Sequence, residues 1–131
     1  MLKLIIWTMA ALIVITGIVA YSQWQWGGRG SGSETWSIRG GIAQLGRQPI
    51  VRHGCGACHV IGGIGRANGR VGPKLQGIHE QIYLAGVIPN TAENMVLWIM
   101  HPERVAPGTA MPDLDVLEQD ARHIAAYLYK N

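Results

Sequence analysis

Cys55 and Cys58 stand three positions apart, and His59 follows the second cysteine directly in Cys55-Gly56-Ala57-Cys58-His59. Side chains at i and i+3 of a helical turn face the same way, so both sulfurs can reach the two vinyl groups along one edge of a porphyrin. The histidine after the second cysteine marks the pattern as an attachment site for haem c, with two thioethers tethering the ring and the imidazole beneath it able to bind iron. Small residues at 56 and 57 allow the backbone to approach the ring closely. Three other uses of such a pair fit less well. A thioredoxin-type redox pair belongs in a βαβ alternation, which the chain lacks, and a zinc site needs a second ligand pair. A structural disulfide in an extracytoplasmic protein is the third alternative.

A second axial ligand must come from elsewhere. The candidates are Met95, Met100, Met111 and the histidines at 53, 79, 101 and 123. Met95 and Met100 have the spacing of core methionines. His53 is too close in sequence to the attachment turn to reach the opposite face of the ring. His79, His101 and His123 lie among polar residues and are expected to be solvated. Met111 sits in Pro107-Gly108-Thr109-Ala110-Met111-Pro112, a rigid loop of small residues 52 positions beyond His59. We therefore expect iron held between His59 and Met111. A thioether opposite an imidazole raises the reduction potential relative to two histidines. With both axial positions filled, electron transfer is favoured over oxygen chemistry. A carbonyl at Pro73, in Gly72-Pro73, is placed to accept the Nδ1 proton of His59 and fix its tautomer. Tyr83 and Trp98 are candidates to donate hydrogen bonds to the haem propionates, or else core aromatics.

These groups must be positioned by a small, mainly helical domain. A first helix is expected over about 41–57, kinked or restarted at Pro49. The glycine-rich stretch 61–77 has no periodicity and needs something to wrap around. A second helix is expected over 91–101, with Asn90 and Glu93 as a capping pair and Pro102 as its stop. A last helix over about 116–129, with Asp115 and Glu118 as its capping pair, presents Ala121, Ile124, Ala125 and Leu128 as a buried stripe beside Tyr127. Phenylalanine is absent, so a small core must draw on Ile, Leu, Val, Trp and Tyr, and a large apolar cofactor would help to fill it.

The remainder of the chain has a different character. From Leu4 to Tyr21 no charged residue interrupts the apolar run, and 18 residues rise about 27 Å as a helix, near the hydrocarbon thickness of a bilayer. Trp7 at one end and Tyr21, Trp24 and Trp26 at the other suit interfacial aromatic belts. Lys3 and the amino terminus favour an N-in, C-out orientation. We expect residues 1–26 to be a retained signal anchor in the cytoplasmic membrane, 27–35 a Gly/Ser linker, and 36–131 a haem domain on the periplasmic side. A signal peptide cleaved near Ala20 is the competing reading. From Trp36 onward nine Lys/Arg face seven Asp/Glu. That balance leaves no basic stripe for nucleic acid.

With these motifs in hand, the chain resembles a class I cytochrome c over about 41–129. The likeness rests on Cys55–His59, Val71-Gly72-Pro73-Lys74-Leu75, Pro107–Pro112 and the terminal Ala125-Ala126-Tyr127-Leu128. It implies an all-α wrap around one haem c, with Cys55 and Cys58 as attachment residues, His59 as proximal ligand and Met111 as distal ligand. A narrower likeness, over Ala85–Met95 and Trp98-Ile99, is to the cytochrome c domain fused to subunit II of caa3-type haem–copper oxidases. In this sequence an anchor is expected in place of that subunit's copper domain. The resemblance implies an electron-carrying subunit of a respiratory terminal oxidase. The alternatives are a freestanding membrane-bound shuttle between a bc1-type complex, or a soluble cytochrome donor, and an oxidase; the cytochrome subunit of a periplasmic dehydrogenase; and a haem-based gas sensor.

Overall fold

The computed structural model describes residues 1–27 and 37–131. The expected linker at 27–35 falls almost wholly outside the described residues, as does Trp36. The chain divides into two units, Met1–Thr35 and Trp36–Asn131.

The first unit holds one helix, α1 (Leu2–Gly27), of 26 residues. Its small polar side chains fold back on the helix itself. Thr16 Oγ1 donates to the carbonyls of Leu12 and Ile13, each at 3.0 Å, and Ser22 Oγ to that of Val19 at 2.8 Å. Such bonds remove hydroxyl donors from the surface. Residues 12–22 are all exposed, on every side of the helix. Over the described residues, no helix is long and apolar enough to cross a membrane, so the fold does not by itself establish α1 as a span.

The second unit is built on α2 (Ala43–Arg52), α3 (Ala92–Met100), the short α4 (Pro102–Val105) and α5 (Glu118–Lys130). Its core joins Ile50 of α2, Met95, Val96 and Ile99 of α3, and the stripe Ala121, Ile124, Ala125 and Leu128 of α5, with Tyr127 and Tyr129. Met95 is thus a packing residue, as its spacing implied. The crossing of α2 and α5 is close because Gly46 faces α5 with no side chain: a Cβ there would lie 2.6 Å from Tyr127 Cβ and 2.9 Å from the His123 carbonyl carbon.

Several boundaries differ from expectation. Pro49 lies inside α2 without breaking it, and the helix ends at Arg52 instead of continuing to Ala57. Gly54, in the left-handed region at φ 69°, turns the chain into a separate 3₁₀ turn, Cys55–Ala57. Such a residue ends helices readily only when it is glycine. The cap of α3 is Thr91, whose hydroxyl accepts the Asn94 N–H at 3.2 Å. Asn90 does other work: its Nδ2 donates to the Ile78 and Gln81 carbonyls, both at 2.8 Å, while its Oδ1 accepts the Tyr129 hydroxyl. The Asp115–Glu118 capping pair is also corrected. α5 starts at Glu118 with no side-chain cap, and Asp115 sits at φ 51° with its N–H bound to Asp113 Oδ1. A two-stranded antiparallel hairpin, β1 (Tyr83–Leu84) and β2 (Ile88–Pro89), interrupts the otherwise helical domain.

Candidate haem site

The 3₁₀ turn sets the attachment motif. Cys55 O accepts both the Cys58 N–H at 3.3 Å and the His59 N–H at 3.0 Å, so the two cysteines and the histidine share one tight turn. Both thiols are free and half-buried. Burial pushes the Cys55 thiol above its ordinary range, with a smaller contribution from neighbouring Cys58. Among the described residues no group of three or more His, Cys, Asp or Glu is placed to hold a metal ion.

The glycine-rich stretch does wrap around something: it closes on the attachment turn. Gly69 N–H donates to Gly56 O at 3.1 Å, Gly72 N–H to Cys58 O at 2.9 Å and Leu75 N–H to Val60 O at 2.9 Å. Ile61, Ile64 and Ala67 anchor the stretch in the core. It delivers Pro73 to His59, whose Nδ1–H donates to the Pro73 carbonyl at 2.8 Å. Gly72 leaves room for the imidazole, since a Cβ at that position would lie 2.6 Å from Nδ1 and 2.9 Å from Nε2. With Nδ1 occupied, Nε2 carries the lone pair, and among the described residues no hydrogen bond consumes it. A ring held in this tautomer is prepared to bind a metal through Nε2.

Met111 is half-buried and its N–H donates to Thr109 Oγ1 at 3.2 Å. Two residues on, the Asp113 carboxyl is held below the usual carboxylate range, first by the Asp115 amide and then by His101. Trp98 is half-buried against the core, whereas Tyr83 is 55% exposed and is no core aromatic. Neither makes a side-chain hydrogen bond among the described residues, so both polar ends remain available. The structure ties Cys55, Cys58, His59 and Pro73 into one hydrogen-bonded unit; Met111, Trp98 and Tyr83 belong to other segments.

The remaining histidines are not simply solvated. His123 Nδ1 accepts the Ile42 N–H at 3.0 Å, and His101 Nδ1–H donates to Asp113 Oδ2 at 3.3 Å. His53 lies 3.8 Å from Asp120 Oδ2, which also pairs with Arg52 at 2.7 Å. Sequence spacing gave no signal for these pairs, because their partners are 12 to 81 positions away.

The donor set fits a thioether-bound haem: two unpaired thiols on one turn, and an imidazole with a free Nε2 whose ring occupies the room that any side chain at 72 would take. The cytochrome c family model matches residues 43–131. A cytochrome c oxidase subunit 2 from Alkalihalophilus pseudofirmus is 35% identical over 88 residues, which is 66% of this chain and 25% of that protein. The chain therefore spans about a quarter of the length of this curated relative. No solved structure gives a significant match. The match over most of the chain, falling on the segments that build the attachment turn and its cradle, makes the protein a member of the class I cytochrome c family, an electron carrier with covalently bound haem c.

Proposed function

We propose that this chain is a membrane-anchored monohaem cytochrome c that delivers electrons as a subunit of a respiratory terminal oxidase of the haem–copper type. Cys55 and Cys58 would hold the haem through thioethers, and His59 and Met111 would ligate its iron. When bound, the haem supplies one-electron transfer through its iron. The chain's residues do the rest. Pro73 holds the His59 proton on Nδ1, and Gly72 keeps the ring's volume clear. Thr109 fixes the Met111 amide, and Trp98 and Tyr83 offer donors to the propionates. Filling both axial positions keeps dioxygen and other small ligands off the iron, which suits a carrier.

The observation that carries this reading is the 2.8 Å bond from His59 to Pro73 beside two unpaired thiols. The oxidase assignment draws support from the likeness to the oxidase subunit 2 of Alkalihalophilus pseudofirmus. Support for the anchor comes from the uncharged run in α1 and its back-bonded hydroxyls. On this reading residues 1–26 span the cytoplasmic membrane with the amino terminus inside, 27–35 are a linker, and 36–131 face the extracytoplasmic side.

The test is purification of the full chain from membranes in mild detergent. The reading requires a pyridine haemochrome spectrum of haem c, retention in the membrane after alkaline carbonate washing, and stoichiometric recovery with oxidase subunits. Recovery of the cytochrome alone would favour the freestanding shuttle. Release by carbonate would overturn the anchor. Met111→Ala should open the sixth position and lower the reduction potential; an unchanged spectrum would remove Met111 from the iron.

A further inference from the structure

Met111 belongs to a segment with few ties. Among the described residues, no backbone group of residues 110–116 bonds to another backbone group. Two side-chain bonds are local: Met111 N–H to Thr109 Oγ1 at 3.2 Å and Asp115 N–H to Asp113 Oδ1 at 3.0 Å. The hydrogen bond that reaches another element, alone among the described residues, is the one from His101 Nδ1–H to Asp113 Oδ2 at 3.3 Å. Val116, buried, then marks the return of the chain to the core.

The two ends of that bond are unequally held. His101 caps α3, its N–H bound to Leu97 O at 2.8 Å, and it precedes Pro102, one of the most deeply buried residues of the domain. It is a fixed post. Asp113 stands two residues beyond Met111, with Pro112 between them, so the stiff X-Pro backbone passes any movement of Asp113 to Met111. The pair closes a loop of a dozen residues, and a closed loop of that size is far less free to move than an open one.

We propose that the His101–Asp113 pair is a latch that positions Met111, so that breaking it lets the thioether leave the iron more often. This rests on Met111 being the axial ligand. His101 and Asp113 are positioning residues: neither touches the iron, and each acts through the loop.

The experiment uses the full-length, haem-loaded chain in detergent and reads carbon monoxide binding to the ferrous protein at neutral pH and limiting gas. It also reads the methionine-to-iron charge-transfer band of the ferric protein. Wild type should bind almost none. The pair is partly exposed, and an exposed ionic hydrogen bond is worth a modest factor, so His101→Ala and Asp113→Ala should each raise the bound fraction about three- to fivefold. The double variant should rise no further than either single, since one contact is lost in all three. Asp113→Asn, which keeps an acceptor oxygen, should stay near wild type. Met111→Ala should bind fully. If both alanine variants lower the urea midpoint but leave carbon monoxide binding and the band unchanged, the pair only stabilises the fold and the latch is overturned. Additive effects in the double variant would overturn it too. If Met111→Ala itself behaves as wild type, the ligand assignment has failed and the latch goes with it, an outcome distinct from the others.

Discussion

At the scale of single residues, the site depends on what is missing as much as on what is present. Gly72 is not in the left-handed region, so its requirement is steric and not conformational. A methyl group there would stand 2.6 Å from His59 Nδ1, inside the space that the bond to Pro73 needs. The neighbour that must give way is a side chain, but one pinned by its own hydrogen bond and, on the proposed ligation, by iron. Gly72→Ala should therefore cost about 1–3 kcal/mol, the usual range for overpacking. It should also perturb the haem spectrum, because the imidazole turns as it yields. Urea unfolding monitored by circular dichroism, alongside the reduced-minus-oxidised difference spectrum, checks both. A variant with a shifted midpoint and an unaltered spectrum would mean that His59 accommodates the methyl in place. The acceptor role of Pro73 was legible beforehand, because a carbonyl near the attachment histidine has an obvious use. Gly72's exclusion role was not, since it depends on how a loop returns to the turn.

At the scale of elements, the crossing of α2 and α5 is the joint that holds the domain closed beneath the attachment turn. Gly46→Ala sets two effects against each other. Alanine in a helix interior is better than glycine by about 1 kcal/mol. Against this, the added Cβ would lie 2.6 Å from Tyr127 Cβ and 2.9 Å from the His123 carbonyl carbon. The second contact is backbone, so relief requires α5 to shift as a body, and an overpacking cost of about 1–3 kcal/mol prevails. The variant should be less stable in urea by up to about 2 kcal/mol, and a gain in stability would show that the helices have room to part. Helix existence was readable from periodicity: the stripe Ala121, Ile124, Ala125 and Leu128 is buried as expected. Helix ends were less so. Asn90 looks like a cap for α3, but three bonds to distant groups claim it, and Thr91 takes the cap. Asp115 looks like a cap for α5, but its left-handed backbone and its tie to Asp113 put it in the preceding loop. For Asn90 tertiary bonds outcompeted a local one, and a tertiary bond has no signature in a window of neighbours; for Asp115 a rival local bond, two residues back, took the place of the cap. The uncharged run of α1 poses the reverse case, plain in sequence and undecided by the fold.

At the scale of the whole molecule, Tyr129 links the end of the chain to its middle. Its hydroxyl donates to Asn90, which in turn holds the turn at Ile78 and Gln81. Tyr129 is buried, at 6% exposure, and burial, followed by the negative charge of Glu93, pushes its phenol up from 10.0 to about 12. The folded protein thus keeps the proton more tightly than the unfolded chain does. Stability from this source is complete below pH 10 and drains away as pH rises from 10 towards about 12, because above 10 the unfolded tyrosine ionises while the folded one must stay neutral. The direction follows from the unfolded state binding fewer protons across that window. Other groups titrate in the same range, so the informative quantity is a difference between two proteins. Tyr129→Phe should be less stable than wild type at neutral pH, having lost the bond to Asn90. It should fall less steeply than wild type between pH 10 and 12, and the two stabilities should converge. Urea midpoints measured at intervals across that window give the comparison directly. Parallel curves would mean that the phenol at the end of α5 titrates freely, and that the tie between the terminus and Asn90 is not the closed, water-free contact on which the raised value depends.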